Sequence, residues 1–289
     1  MRTRTLFATL IALGAALPLF AHDFWMEPSS FTLDKGALLS VTLEVGDYAV
    51  GEKVPRAEER IADFSIHGGG SAKKIVGRDG GDPAGYVRLE SEGLFVLGYR
   101  SKHTFVELEA AKFEGYLKEK GLDDALALRT SRGENAAKGR EMYSRCCKAL
   151  VKVGKSDGSG FDSMLGYTLE LAPEKNPFDL KTVDKGEGSV AIEPMPVRLF
   201  YEGKPLANGL VAALDLERAK PKQGEPRQEP ITARTDGEGR ATLELPHGGK
   251  WLIAAVHMIH VDGNDKADWE SFWASLTVEI PKGDAKKKT

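Results

Sequence analysis

A chain of 289 residues with 41% hydrophobic content can bury a sizeable core, so it is not intrinsically disordered, and its length fits one large or two ordinary domains. Forty lysines and arginines against 43 acids leave a formal charge of -3, which excludes the basic field that a dedicated nucleic-acid binder needs. Thirty-two glycines and 14 prolines between short apolar runs favour a turn-rich β protein, and no Walker loop, GxSxG elbow or HExxH helix occurs.

Residues 1–21 carry Arg2 and Arg4, an apolar run from Leu6 to Leu13, and Gly14 to Ala21 with Pro18. That order reads as a secretory signal peptide, and the run is short for a bilayer span, so the mature chain is expected in the periplasm with no transmembrane segment. A cut after Ala21 makes His22 the new N-terminus, while a cut after Ala16 would leave a short apolar leader. Loss of the two arginines takes the charge from -3 to -5.

Phe31 to Val45 alternates like a strand, with Val41, Leu43 and Val45 on one face, and Gly46-Asp47 ends it. Further strand-like runs at Phe64 to Ile66, Lys74 to Val76, Tyr86 to Leu89 and Leu94 to Tyr99 are separated by glycine-rich turns, the spacing of an antiparallel sandwich. The pattern then turns helical over Val106 to Lys120, with Gly121 as terminator, a second helix from Asp123 and a third over Asn135 to Leu150. The expectation is a first β-sandwich over 22–172 with a helical insertion at 105–150. The adjacent Cys146 and Cys147 cannot form an ordinary structural disulfide, and they read as two small buried side chains on the third helix rather than as thiolate ligands.

Pro173 to Pro196 has the composition of a linker and first edge. A second β unit is expected over 197–282, followed by a disordered tail at 283–289. In it, the turn and strand TDGEGRATL at 235–243 resembles the carboxypeptidase-regulatory or transthyretin-like sandwich, a match that spans Gly203 to Val256 and speaks for fold more than function. The fold class expected is therefore mainly β, with two antiparallel Ig-like or transthyretin-like sandwiches and a helical insertion in the first.

A histidine at a mature N-terminus offers its amine and imidazole Nδ1 to one ion, and a second imidazole would complete a histidine brace suited to copper and able to hold nickel. Phe24, Trp25 and Met26 could dock such a terminus against the sandwich. Among the other histidines His257 has the best context, sharing a strand face with Trp251, Ile253 and Ala255, although a core histidine bonded to a backbone carbonyl would show the same pattern. His67, His103 and His247 read as surface residues, the acidic loop from Asp262 to Glu270 lacks EF-hand spacing, and nothing suggests nucleophilic catalysis.

AHDFWMEPS at the start, the segment Glu44 to Arg56, FVELEAAKFEGYLKEKGLD, MYSRCCKALVKVG and the C-terminal AVHMIH and ADWESFWASLTVEI together resemble an exported bacterial family of domains of unknown function linked with nickel or cobalt uptake. The resemblance spans His22 to Ile280. It implies a periplasmic metal-associated β protein with His22 and His257 as ligands for nickel, cobalt or copper, presenting the ion to a membrane uptake system. Two rival expectations are a histidine-brace copper enzyme and a non-metal module that binds a glycan or envelope protein through Trp269 and Trp273.

Overall fold

The computed structural model describes residues 22–186, 189–218 and 225–282, so the expected leader (1–21) and tail (283–289) lie outside the described residues. In chain order the first half runs β1 (Asp23–Pro28), β2 (Thr32–Leu33), β3 (Leu38–Asp47), β4 (Val50–Val54), β5 (Ile61–Gly68), β6 (Ser71–Lys74), β7 (Gly85–Arg88), β8 (Gly93–Ser101) and β9 (Thr104–Leu108). The helices α1 (Ala110–Glu119) and α2 (Asp123–Ser131) follow, and then the long strand β10 (Gly139–Val153). The second half contributes β11 (Leu169–Pro173), β12 (Thr182–Gly186), β13 (Ser189–Ile192), β14 (Met195–Tyr201), β15 (Lys204–Pro205), β16 (Leu210–Asp215), β17 (Ile231–Arg234), β18 (Arg240–Leu243), β19 (Gly249–His260) and β20 (Trp269–Ile280).

The fold is mainly β, as composition and turn spacing require. Its two halves, however, are joined through one sheet. A ten-stranded sheet has the order β17-β16-β19-β20-β10-β8-β5-β6, and β10 pairs β20 in parallel from Glu141 beside Trp269 to Ala149 beside Thr277. The two strands of that seam come from the middle and the C-terminal part of the sequence, one from each expected sandwich, so the sandwiches expected over 22–172 and 197–282 share their central layer. On one face lies a four-stranded sheet of β11, β14, β15 and β18, enclosing a core with Leu150, Trp251, Ile253, Ala274 and Leu276. The opposite face is covered by a sheet of β1, β3, β4 and β7 over Leu97, Cys147, Ala149 and Val151, and by the two helices over Tyr143, Trp269 and Trp273.

This three-layer arrangement explains where the sequence reading departs from the structure. The segment 139–153 is a strand, not the third helix expected from Asn135 to Leu150. It is buried on both faces, so its sequence lacks the polar–apolar alternation by which a half-buried strand declares itself. The helical part of the insertion accordingly shrinks to α1 and α2, flanked by β9 and β10, which pair with each other. The stretch 173–196 is likewise no free linker: it contains the β12–β13 hairpin, Glu174 N–H donates to Pro196 O at 2.8 Å, and Leu180 and Ile192 are in the core. The TDGEG segment forms the expected turn, with Asp236 Oδ1 accepting from the amides of Glu238 and Arg240, each at 2.8 Å. No helix among the described residues is long and apolar enough to cross a membrane.

Under α1 lies a polar cluster within the apolar cover. Glu141 is 1% exposed; Tyr116 Oη donates to its Oε1 at 3.2 Å, Ser271 Oγ donates to the same oxygen, and Trp273 Nε1 donates to Ser271 Oγ at 3.1 Å. Burial outweighs these hydrogen bonds and pushes the carboxyl pKa from 4.5 up to about 7. The folded state therefore holds a proton that the unfolded chain releases near pH 4.5, and stability that is complete below that pH declines as pH rises through 7, by about 3 kcal/mol. Glu141→Gln keeps the acceptor and removes the titration. Urea denaturation at pH 5 and pH 8 should show the parent losing stability relative to this variant by about that amount; an unchanged difference at the two pH values would refute the assignment.

Candidate metal centre

The chain enters the fold through β1, which pairs antiparallel with β3 from Asp23 beside Gly46 to Pro28 beside Val41. Trp25 and Met26 are 2% and 0% exposed, so the aromatic start is anchored as its composition suggested. Trp25 packs against Leu214 and Leu252 of the central sheet, while Met26 joins the core under β3. Gly51 on β4 makes room for the Trp25 ring, since a Cβ there would lie 2.6 Å from its edge carbons.

Two cations fasten the first residues of the strand. Arg145 Nη1 donates to the carbonyl of His22 at 2.6 Å, with its guanidinium carbon 5.7, 5.1 and 4.8 Å from the ring centres of Phe24, Tyr143 and Trp273. That aromatic enclosure stabilises a buried cation through the ring quadrupoles. Lys120 Nζ, just beyond α1, meets Asp23 Oδ1 at 3.1 Å and lies 5.4 Å from the Trp273 ring centre. Burial works against its charge, yet the carboxylates of Asp23 and Glu119 prevail and hold the lysine pKa above its ordinary value.

His22 is thus held at its carbonyl while its ring is partly open, and Nδ1 lies 3.0 Å from Asp47 Oδ2. Asp47 owes its place to a two-residue hairpin turn between β3 and β4, in which Tyr48 and Ala49 both take positive φ, 53° and 62°. Beside this corner is a cavity of about 210 Å³, bordered by Asp23, Tyr48, Glu119 and Lys120 and floored by Leu214 and Val256.

His257 lies elsewhere. It is in register with Phe272, which belongs to the core under β14, and its ring centre is 4.5 Å from that of Tyr201. Its neighbour Val256 is in register with Trp273, the residue whose ring faces Arg145 on the other side of the sheet. His22 and His257 are therefore on opposite faces of the central sheet and are not brought together. Burial lowers the His257 pKa, with Asp124 opposing, as for an imidazole kept neutral in a packed setting.

The other histidines are engaged separately: His67 with Ser65, His103 with Glu270, His247 with Asp215, and His260 with Arg132 and Asp262. Among the described residues no three His, Cys, Asp or Glu side chains converge as a ready ligand set. Cys146 and Cys147 are buried on opposite faces of β10, not on a helix, and burial pushes their thiols up to about 11 and about 12, which makes them inert rather than ligating. Trp269 and Trp273 are 1% and 3% exposed, so they cannot serve as a glycan-stacking platform. Asp47, Arg145 and Lys120 escaped sequence reasoning. Only Asp47 left a trace, as the residue closing the β3 pattern.

A family model described as Domain of unknown function (DUF4198) matches residues 19–259. No curated protein matches the chain. Among solved structures it is similar to the D0-D1 domain of Intimin, with 14% identity and a TM-score of 0.19 over 89% of this chain and 98% of that one. It is also similar to a DUF3823 family protein from Bacteroides uniformis, with 8% identity and a TM-score of 0.23 over 90% of this chain and 100% of that one. Likenesses at such TM-scores carry no argument here.

Proposed function

We propose that this chain, which belongs to the DUF4198 family, is an exported protein that binds one transition-metal ion at a mature N-terminus beginning with His22 and hands it to a membrane uptake system. The observation that carries the reading is the separation of His22 Nδ1 and Asp47 Oδ2, 3.0 Å. Two donors about 2.1 Å from one ion and at right angles to each other are about 3 Å apart, so the separation of this pair matches neighbouring positions around one ion. Once residues 1–21 are removed, the His22 amine supplies a third donor through a chelate ring with Nδ1. The resulting set of two nitrogens and one carboxylate oxygen suits nickel, cobalt or copper.

In this reading Arg145 and the buried Trp25 orient the terminus, the Asp47 carboxylate offsets the ion's charge, and His257 takes no part. Metal titration of correctly processed protein against a competing chelator tests it. Replacing His257 with Ala should leave affinity unchanged, whereas Asp47→Asn should weaken nickel binding by about tenfold. Ligation requires deprotonated nitrogens, so affinity falls as pH falls. Equal binding by parent and His22→Ala, with both folded by circular dichroism, would refute the site.

A further inference from the structure

A second cleft, of about 440 Å³, lies at the β5–β6 edge of the central sheet, lined by Asp63, Ser65, His67, Lys73, Lys74 and Arg100, with Leu165 to Tyr167 as its other wall. On β5, Asp63, Ser65 and His67 alternate with Phe64 and Ile66, which belong to the core under β3. The polar three therefore project from the other face, away from the His22 corner.

Their hydrogen bonds form one directed chain. Tyr167 Oη donates to Asp63 Oδ2 at 2.5 Å, and Ser65 Oγ donates to the same oxygen at 2.7 Å. With its only hydrogen used there, Ser65 Oγ accepts from His67 Nε2 at 2.8 Å, which leaves His67 Nδ1 as an acceptor. Asp63 Oδ1 is a second acceptor with no partner among the described residues. These are groups that bind ligand hydroxyls.

The cations supply the complement. Arg100 has its carbon 5.7 Å from the Tyr167 ring centre, and its Nε is buried with no hydrogen-bond partner among the described residues. That atom is closed off from the cleft, but the guanidinium makes no ion pair among the described residues, so its charge lacks a carboxylate partner. Lys73, in register with Ile66, turns to the other face and meets Glu90 at 3.3 Å, whereas Lys74 makes no ion pair among the described residues. Lys74, in register with Ser65, and Arg100 thus share a face with the one carboxylate, in a volume within the range of about 300–1,000 Å³ typical of small-molecule sites.

We propose that this cleft binds a hydroxylated carboxylate of the sugar-acid class, its carboxylate on Arg100 and Lys74 and its hydroxyls on Asp63 and His67. The same chemistry is offered by a free sugar acid and by a uronate unit of an acidic polysaccharide, and the two are separable by experiment. Calorimetric titration of the full-length mature protein with galacturonate, trigalacturonate and galactose is the test. Galacturonate should bind and galactose should not. Arg100→Gln should weaken galacturonate by at least about tenfold, as expected on losing a charged hydrogen bond. The exposed Lys74→Gln, which leaves the fold untouched, should weaken it by about threefold and steepen no salt dependence. Tighter binding of the trimer assigns the cleft to a polymer, and equal binding to the free acid; both support the site. Equal affinity for galactose and galacturonate, no binding of either acid, or a folded Lys74→Gln that binds as the parent does, would overturn it.

Discussion

Adding a single residue ahead of His22 is expected to weaken nickel or copper binding by at least about a hundredfold, beyond the ten- to hundredfold usual for losing an outer-shell partner. The extension converts the terminal amine into an amide, which removes one nitrogen and breaks the chelate ring with Nδ1. Folding should survive, because β1 is held by the buried Trp25 and Met26 and by the Arg145 bond to the His22 carbonyl, none of which involves the amine. N-terminal sequencing of the parent establishes the His22 start, and chelator competition measures the loss. An extended protein that binds as tightly as the parent, on a parent confirmed to begin at His22, would eliminate the N-terminal chelate and with it the proposed function.

Replacing Lys148 with Met is expected to cost about 3–5 kcal/mol and to lower the melting midpoint by on the order of 10 °C. Lys148 and Glu170 are each 1% exposed and meet at 3.2 Å, between β10 and β11. Lys148 Nζ also donates to Ser163 O at 2.8 Å, while Glu170 accepts from the amides of Leu165 at 2.9 Å and Tyr167 at 2.7 Å. Burial lowers the lysine pKa and the Glu170 carboxylate opposes that shift, the balance of a charge that depends on its partner. Met fills the volume but strands the carboxylate, and the loop from Ser163 to Tyr167 loses one of its ties. Because the two amides need Glu170, removing both partners should not restore parental stability. Chemical denaturation decides the point, and a loss below about 1 kcal/mol would show the pair to be dispensable.

Much of the candidate metal corner was legible as chemistry but not as geometry. His22 and its apolar followers were readable because a leader-like segment and a docked aromatic start are local features. His257, the partner expected for it, lies on the other face of the central sheet. The strand pattern around His257 correctly places it with Trp251, Ile253 and Ala255, yet alternation reports only which residues share a face, not which layer covers that face. Asp47 reads in sequence as a strand terminator, and it becomes a neighbour of Nδ1 only through the tight turn at Tyr48 and Ala49. Arg145 lies 123 positions from the backbone oxygen it holds, a separation no local pattern spans.

By itself the sequence determined the mainly β class, the turns that divide the strands, the first two of its three expected helices, though not the strand end at Val106 to Leu108, and the buried aromatic entry of the chain, since each follows from periodicity, glycine chemistry or local apolar content. Only the tertiary structure decided that β10 would pair in parallel with β20 and merge the two halves into one sheet. That choice buries β10 on both faces, which erases the alternation a sequence reader relies on, and it sets His22 and His257 on opposite sides of a common layer. Contacts between strands more than a hundred residues apart are selected by the joint burial of many apolar faces, a collective quantity that no single stretch of sequence carries.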